Sequence, residues 1–398
     1  MTSGLCSGCG AQLQSADEQA PGYLAAGAPL RESPLCRRCY RIRHYGEFPE
    51  VTMTIEEQEE QVLKIRQEPG LILYVVDGFD LQGSLVDGLS RYTNEYPVIV
   101  VVNKVDLFPK EVKLDRLADW IAKVVENQGV RPRQVVFASA KSGSGIEALV
   151  SVIADAAFNQ AYVLGMANVG KSTLLNRLLK QLEGEEAFTT SRVPGTTLGL
   201  TSVDVALPTG KAVSLVDAPG LLQGNRVTDV LCTDCLRTVL PQARLRPRIF
   251  QLNPGQSLWV GGLLRFDFAQ GAPQSVVCYV SNDVVIHRTK LERADEFGRD
   301  HAEDILKVPC ASCRAEFGEL EPWQVGAGKY ASRLRGGKRA IGLSGSGDLV
   351  LPGLGWIALT GRDFLGQVWA PSMMRVESRP RLIGVLTQAP PRNRRARN

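Results

Sequence analysis

The chain has 398 residues, 44% of them hydrophobic and 22% charged, with a formal net charge of +4. That is an ordinary globular composition, long enough for two to four domains, and its near balance of charge argues only weakly for a nucleic-acid partner. The longest apolar runs, "LILYVVD" and "PVIVVVN", are strand-sized, so no membrane-spanning helix of ~20 residues is predicted.

The N-terminus, "MTSGLCSGCG", lacks the charged-then-apolar pattern of a signal peptide and the Arg-rich, Ser-rich look of a transit peptide. Residues 1–48 instead hold two cysteine knuckles, Cys6/Cys9 and Cys36/Cys39, around a Pro/Gly/Ala-rich spacer. Eight of the nine cysteines fall in C-x-x-C pairs, the others being Cys232/Cys235 and Cys310/Cys313, with Cys278 alone. Paired spacing without a secretory signal favours metal over a disulfide framework. Four thiolates from Cys6, Cys9, Cys36 and Cys39 make a closed tetrahedral Zn²⁺ set, and the metal explains how so apolar-poor a segment can fold. Arg37, Arg38, Arg41, Arg43 and His44, with Tyr40 and Tyr45, surround it as a basic, aromatic-bearing patch suited to RNA phosphates and bases; a solvated basic face is the plainer reading.

Residues 53–68, "MTIEEQEEQVLKIRQE", read as a charged helix, with Thr54 as cap and Glu57 as its capping-box partner. Strand-length apolar runs then follow at 71–77, 98–103, 134–140, 161–167 and 212–218, with helix-period segments such as 115–126 and 144–157 between the first four. This alternation predicts an α/β domain over 53–224 with a mostly parallel sheet and helices on both faces. "LGLTSVDVA" at 198–206 is predicted as an antiparallel edge strand. From 225 to 389 short β-like runs and glycine turns predict a mainly β module with some helix, and 390–398 a basic disordered tail.

The chemistry sits in five short motifs. "GMANVGKS" places Gly165, four residues, then Gly170, Lys171 and Ser172 between strand "AYVLG" and helix "KSTLLNRLLKQL". Such a loop wraps a β-phosphate with backbone N–H groups, Val169 and Thr173 included, at a helix N-terminus. Lys171 is placed to reach the β- and γ-phosphates and Ser172 to ligate Mg²⁺. "DAPG" ends the next apolar strand, so Asp217 can hold Mg²⁺ through water and the Gly220 N–H can sense a γ-phosphate. "VPGTTLG" lies between, and Thr196 and Thr197, the latter favoured, are candidates for a switch threonine closing on Mg²⁺.

"NKVD" ends strand "PVIVVV". There Asp106 can accept from guanine N1–H and N2–H₂, Asn103 can support the loop and approach N7, and the Lys104 stem can pack over the base. Adenine lacks the 2-amino donor and would leave Asp106 poorly paired. "SAK", Ser139–Ala140–Lys141, ends the following strand, and the Ala140 N–H could meet guanine O6. The tripeptide is common and gains weight only from its partners.

The guanine motifs precede the phosphate loop, which is the order of a circularly permuted GTPase domain. Permutation is tolerated where termini lie close together at the surface. The wider set, "LCRRCYRIRHYGE", "YVVDGFDLQGS", "GMANVGKSTLLN", "PGTTLG", "IHRTKLE" and "GLGWIAL", resembles the YqeH-type permuted GTPases over nearly the whole chain. The resemblance implies a GTP-hydrolysing factor in ribosome assembly. Its expected partners are the small subunit or its precursor rRNA and ribosomal proteins, with a monomer off the ribosome. A bacterial cytoplasm and a plastid or mitochondrial matrix fit equally. Leu221 stands where Ras-like enzymes put a water-orienting glutamine, and Asn168 matches the asparagine of K⁺-stimulated GTPases. Slow, K⁺-stimulated hydrolysis is therefore expected, against the reading that Asn168 only stabilises its turn. The alternative to a switch enzyme is a nucleotide-dependent RNA-binding scaffold with negligible hydrolysis.

Cys232/Cys235 and Cys310/Cys313 depart from the family pattern and read either as a second zinc site or as incidental thiols. "IHRTK", "KYASRLRGGKR" and the tail offer basic clusters for phosphate contact; His287 and Trp356 read as structural rather than catalytic or base-stacking.

Overall fold

Apolar strands without alternation need cover on both faces, and the central sheet of the computed structural model provides it. The structure describes residues 4–6, 11–18, 20, 22–27, 34–45, 55–93, 95–183, 194–197, 200–221, 225–334, 339–343, 345–360 and 363–383. In chain order the first elements are α1 (Arg37–Tyr45), α2 (Ile55–Leu63), β1 (Leu71–Asp77), α3 (Ser90–Thr93), β2 (Val98–Asn103), α4 (Leu114–Asn127) and β3 (Gln134–Phe137). Next come α5 (Ile146–Asp155), β4 (Gln160–Leu164), α6 (Lys171–Glu183), β5 (Pro194–Thr197), β6 (Leu200–Ala206) and β7 (Ala212–Asp217).

Strands β1 to β7 form one sheet in the order β3-β2-β1-β4-β7-β6-β5. The first five of that order run parallel, β6 lies antiparallel to β7, and β5 antiparallel to β6. Every residue of β1 and β2 is buried. The apolar stripe of α4 (Leu117, Trp120, Ile121, Val125) and that of α6 (Leu174, Leu175, Leu178, Leu179) join them in one core. The strand that carries the glycine loop, β4, is fourth in sequence but central in space, so a loop met late in the chain sits mid-sheet.

Three local expectations need correction. The predicted edge strand is β6, and it is internal, because "PGTT" folds back on it as β5. The 53–68 helix is α2 followed by a 3₁₀ turn over Lys64–Gln67; Thr54 lies outside the described residues. Finally, β3 ends at Phe137, which leaves Ser139–Lys141 as loop.

Past the first sheet, α7 (Thr233–Val239) leads into β8 (Arg248–Leu252), β9 (Gln256–Val260), β10 (Leu264–Gly271), β11 (Gln274–Tyr279) and β12 (Ile286–Lys290). Then α8 (Ala294–Asp300) and α9 (Ala311–Phe317) precede β13 (Leu320–Ala327), β14 (Ala340–Leu343), β15 (Gly347–Leu351), β16 (Gly355–Leu359), β17 (Phe364–Pro371) and β18 (Glu377–Arg379). These strands make a six-stranded sheet, β12-β9-β10-β17-β13-β14, and a five-stranded one, β18-β15-β16-β11-β8.

The five-stranded sheet joins two cores, because side chains alternate across a strand. Val277 and Tyr279 of β11, with Trp356 and Ala358 of β16, belong to the core of the seven-stranded sheet. Their neighbours Val276, Cys278, Ile357 and Leu359 belong to the second core. Trp356 is fully buried, stacks on Tyr279 with ring centroids 4.7 Å apart, and carries the Arg379 guanidinium 4.9 Å above it. It is core, as expected, and here core means the seam between the two units. Among the described residues no helix is long and apolar enough to cross a membrane.

Candidate nucleotide-binding site

Parallel strands gather their C-terminal ends on one edge of a sheet, where ligands of doubly wound folds bind. The C-terminal ends of β2 and β7, the loops after β2, β3, β4 and β7, and the first turn of α6 carry the candidate nucleotide residues except the two threonines. The glycine loop, 165–170, runs from β4 into α6. Lys171 is buried, and its Nζ donates to the carbonyls of Gly165 (3.2 Å) and Met166 (2.9 Å). Val169 is buried, Ser172 half-buried and Thr173 exposed. Gly170 has φ +89, and a Cβ there would lie 2.5 Å from Asn103 Nδ2. Glycine is thus required twice over, by backbone conformation and by the approach of the Asn103 side chain.

Asn103 is the hub. Its Nδ2 donates to the carbonyls of Val169 (2.9 Å) and Gly170 (3.4 Å), and its Oδ1 accepts from the Ala140 N–H (3.1 Å). One fully buried amide therefore clamps the phosphate loop to the Ser139–Lys141 loop. Ala140's N–H, expected to face a guanine O6, is turned to Asn103 in this structure. Asp106 is presented by a 3₁₀ turn that Lys104 enters with φ 65. The buried Ser139 hydroxyl donates to Asp106 Oδ1 at 2.6 Å and accepts from the Ser142 N–H at 3.0 Å. The Ser139 bond fixes the orientation of the Asp106 carboxylate. Lys104 Nζ donates to Asp77 Oδ2 (2.6 Å) and to the Asn168 carbonyl (2.8 Å), which lays its stem beside the loop. Lys141 points elsewhere: its Nζ donates to the Gln242 carbonyl at 2.6 Å.

Asp217 ends β7 and is buried. Arg38, from the cysteine-bearing segment, sets Nη2 2.8 Å from its Oδ2. Three residues on, a Cβ at Gly220 would lie 2.9 Å from both Lys171 Nζ and Ala167 Cα, and the close backbone leaves little room for any residue but glycine. Leu221 is strapped to the phosphate loop on both sides: its N–H donates to the Gly165 carbonyl (3.1 Å) and its carbonyl accepts from the Ala167 N–H (2.8 Å). Arg226 follows, buried, donating to the Ala167 carbonyl (3.1 Å) and paired with Asp229 (2.7 Å). Thr196 and Thr197 lie on β5, opposite Thr201 and Leu200 of β6; their side chains are outside the described residues. Asn168 has φ 64, a conformation that asparagine tolerates better than most residues, so its presence has a turn-forming cause of its own.

At the N-terminus the sulfurs of Cys6, Cys36 and Cys39 all lie within 4.8 Å of one another. The Cys36 N–H donates to Cys6 Sγ at 3.2 Å, a contact that steadies a thiolate ligand. These three fit a tetrahedral Zn²⁺ site; Cys9, the expected fourth ligand, lies outside the described residues, as do the side chains of Arg43, His44 and Tyr45. Their core is small, Leu13 with Leu24 and Leu35 packed against it.

Residues 160–244 match the family described as 50S ribosome-binding GTPase, and residues 273–382 the one described as YqeH-like, C-terminal. Protein YqeH of Bacillus subtilis (strain 168) is 34% identical over 381 residues, which is 95% of this chain and 99% of that one. The chain belongs to the YqeH-like family. NO-associated protein 1, chloroplastic/mitochondrial, of Arabidopsis thaliana is 26% identical and spans 89% of this chain and 69% of its own length. GTPase Der of Nitrosococcus oceani matches more narrowly, 29% over 218 residues and 48% of this chain. The YqeH-like chain thus has a P-loop GTPase domain whose strands come in permuted order, followed by a mostly β region.

Sequence reading left Asp77 and Arg226 out of this YqeH-like site and gave Arg38 to the RNA-suited patch instead. Asp77 anchors Lys104, and its place at the end of a strand beside the phosphate loop was the available signal. Arg38 lies 179 residues from Asp217, and nothing local marks their contact. Arg226 had no signal beyond its closeness to the DAPG motif.

Proposed function

We propose that the chain binds GTP at the loops after β1, β2, β3, β4 and β7 and hydrolyses it slowly to GDP and phosphate. The clamp made by Asn103 carries this reading: one side chain ties the base-reading loops to the phosphate loop. Asp106, aligned by Ser139, reads guanine N1–H and N2–H₂. Lys171 exchanges the Gly165 and Met166 carbonyls for β- and γ-phosphate oxygens, while the N–H groups of the loop wrap the β-phosphate. The Gly220 N–H reads the γ-phosphate, and Thr196 and Thr197 close from β5. Ser172 and Thr197 would ligate Mg²⁺ and Asp217 would hold it through water; the ion supplies charge neutralisation at the phosphates. Asn168 and a loop carbonyl would hold K⁺ in the role of an arginine finger. Water attacks the γ-phosphorus and the bond to the β–γ bridging oxygen breaks, with the proton passing to phosphate or solvent.

In this structure Arg38 neutralises the Asp217 carboxylate. Were Asp217 to turn to a water of Mg²⁺, Arg38 would give up its Oδ2, and α1 with the zinc-binding segment would be loosened. The Leu221 strap and Arg226 carry the same change toward the β region. The partner proposed is the small ribosomal subunit or its precursor rRNA, with ribosomal proteins, met by a monomer in a bacterial cytoplasm or an organelle matrix. The basic faces on α1 and in the β region support RNA contact: Arg41 and Tyr40 on α1, and Lys329 lying 5.3 Å over the Tyr330 ring. His287 stacks on Phe297 with centroids 4.1 Å apart, a structural role. Leu221 carries a buried apolar side chain that can orient no water, and this favours the alternative, a nucleotide-dependent scaffold with negligible hydrolysis.

GTP and ATP titrations, turnover with and without subunits, and co-sedimentation with ribosomal subunits in GDP and in a non-hydrolysable GTP analogue test the proposal. Guanine-selective binding, turnover that subunits raise, and nucleotide-dependent association with the small subunit are expected. Equal ATP binding would overturn the site, and absent turnover would favour the scaffold.

A further inference from the structure

Two C-x-x-C pairs far apart in sequence meet in the β region. The four sulfurs of Cys232, Cys235, Cys310 and Cys313 all lie within 4.8 Å of one another. Cys232 Sγ and Cys310 Sγ, 78 residues apart, are 3.8 Å from each other. A tetrahedral zinc with Zn–S bonds of about 2.3 Å requires sulfurs roughly 3.8 Å apart, whereas a disulfide requires about 2.05 Å. No disulfide links these cysteines.

The two knuckles are built alike. Cys232 immediately precedes α7 with φ −65 and ψ 163; Cys310 precedes α9 with φ −65 and ψ 167. The Cys232 N–H donates to Cys313 Sγ (3.1 Å), and the Cys310 N–H donates to Cys235 Sγ (3.2 Å). Each knuckle therefore supports a sulfur of the other, in a reciprocal pair. The same contact recurs at the N-terminal set, where the Cys36 N–H before α1 donates to Cys6 Sγ. Backbone N–H groups aimed at sulfur stabilise thiolates and so favour a metal over four neutral thiols. Cys235 and Cys313 are buried, Cys310 is half-buried and Cys232 exposed, so the set has an entry side.

We infer that Cys232, Cys235, Cys310 and Cys313 form a second, structural Zn²⁺ site. A closed set of four sulfurs leaves no open position for substrate, which makes the role structural. Each cysteine that binds as thiolate releases its proton to solvent. The site pins α7, which begins 13 residues after Gly220, to α9. The chain leaving the γ-phosphate sensor is thereby cross-linked to the β region, and Val227, Leu231 and Phe317 pack in the core beside the cluster.

The test is zinc and iron content per full-length chain, measured after reduced purification and dialysis against metal-free buffer. The intact chain is expected to hold two zinc, and both C6S/C36S and C235S/C313S one each. Because C235S/C313S can fail to fold, C6S/C36S is also loaded with Co²⁺ and its thiolate charge-transfer and tetrahedral ligand-field absorption recorded. Those bands must appear. One zinc in the intact chain, no metal and no cobalt bands in C6S/C36S, or iron in place of zinc would each overturn the assignment.

Discussion

Arg38→Ala isolates the proposed exchange between a side chain and Mg²⁺ at Asp217. Arg38 Nη2 and Asp217 Oδ2 are 2.8 Å apart, with 24% and 7% of the side chains exposed. A hydrogen bond between charged groups contributes about 1.5–3 kcal/mol, and partial exposure moves this pair to the low end. If Arg38 must leave when nucleotide and Mg²⁺ enter, that energy opposes binding in the native chain. Its removal should tighten GTP binding by about 1.5 kcal/mol, roughly tenfold. The assay is titration with a fluorescent guanine nucleotide in Mg²⁺ and again in EDTA, with zinc content checked to show that the N-terminal site is intact. The gain should appear only with Mg²⁺. Unchanged affinity, or weaker binding because Arg38 in fact touches phosphate, would refute the reasoning.

Asp106→Asn replaces an acceptor with an amide that can donate, so GTP affinity should fall at least a hundredfold while xanthosine triphosphate, with an acceptor at position 2, gains; competition binding reads both. Asn168→Gly keeps the left-handed turn and removes the side chain, so a cation role predicts that turnover in K⁺ drops to the Na⁺ rate, whereas a purely turn-forming role leaves the K⁺ response intact. Asp80 is buried, and desolvation raises its pKa from 3.8 to about 6 against the opposing pull of Arg226. The folded state then holds a proton that the unfolded chain releases between about pH 4 and 6, so this residue makes stability fall as pH rises through that window, by about 3 kcal/mol. Denaturant melts of Asp80→Asn should show that slope flattened, and an unchanged slope would remove Asp80 from the account.

The P-loop GTPase domain was legible because its motifs are local. A glycine loop between a strand and a helix, NKVD and DAPG at strand ends, and paired cysteines each carry their reason in a few adjacent residues. Even the permutation could be read, since it is a matter of order. Less local contacts could not be read. Lys141 turns to Gln242 and Ala140 to Asn103, because the partner of a loop group is chosen by whichever element packs beside it. The "PGTT" segment became a strand because β6 offered an edge to pair with.

By itself the sequence determined the chemistry on offer: a phosphate loop, carboxylates at strand ends, paired thiols, and the order in which they come. Tertiary structure decided what meets what. It brought Arg38 to Asp217, closed Cys232/Cys235 on Cys310/Cys313, and gave one five-stranded sheet a face in each of two cores. Such contacts span tens to hundreds of residues, and their energy depends on burial and distance, which no local pattern encodes.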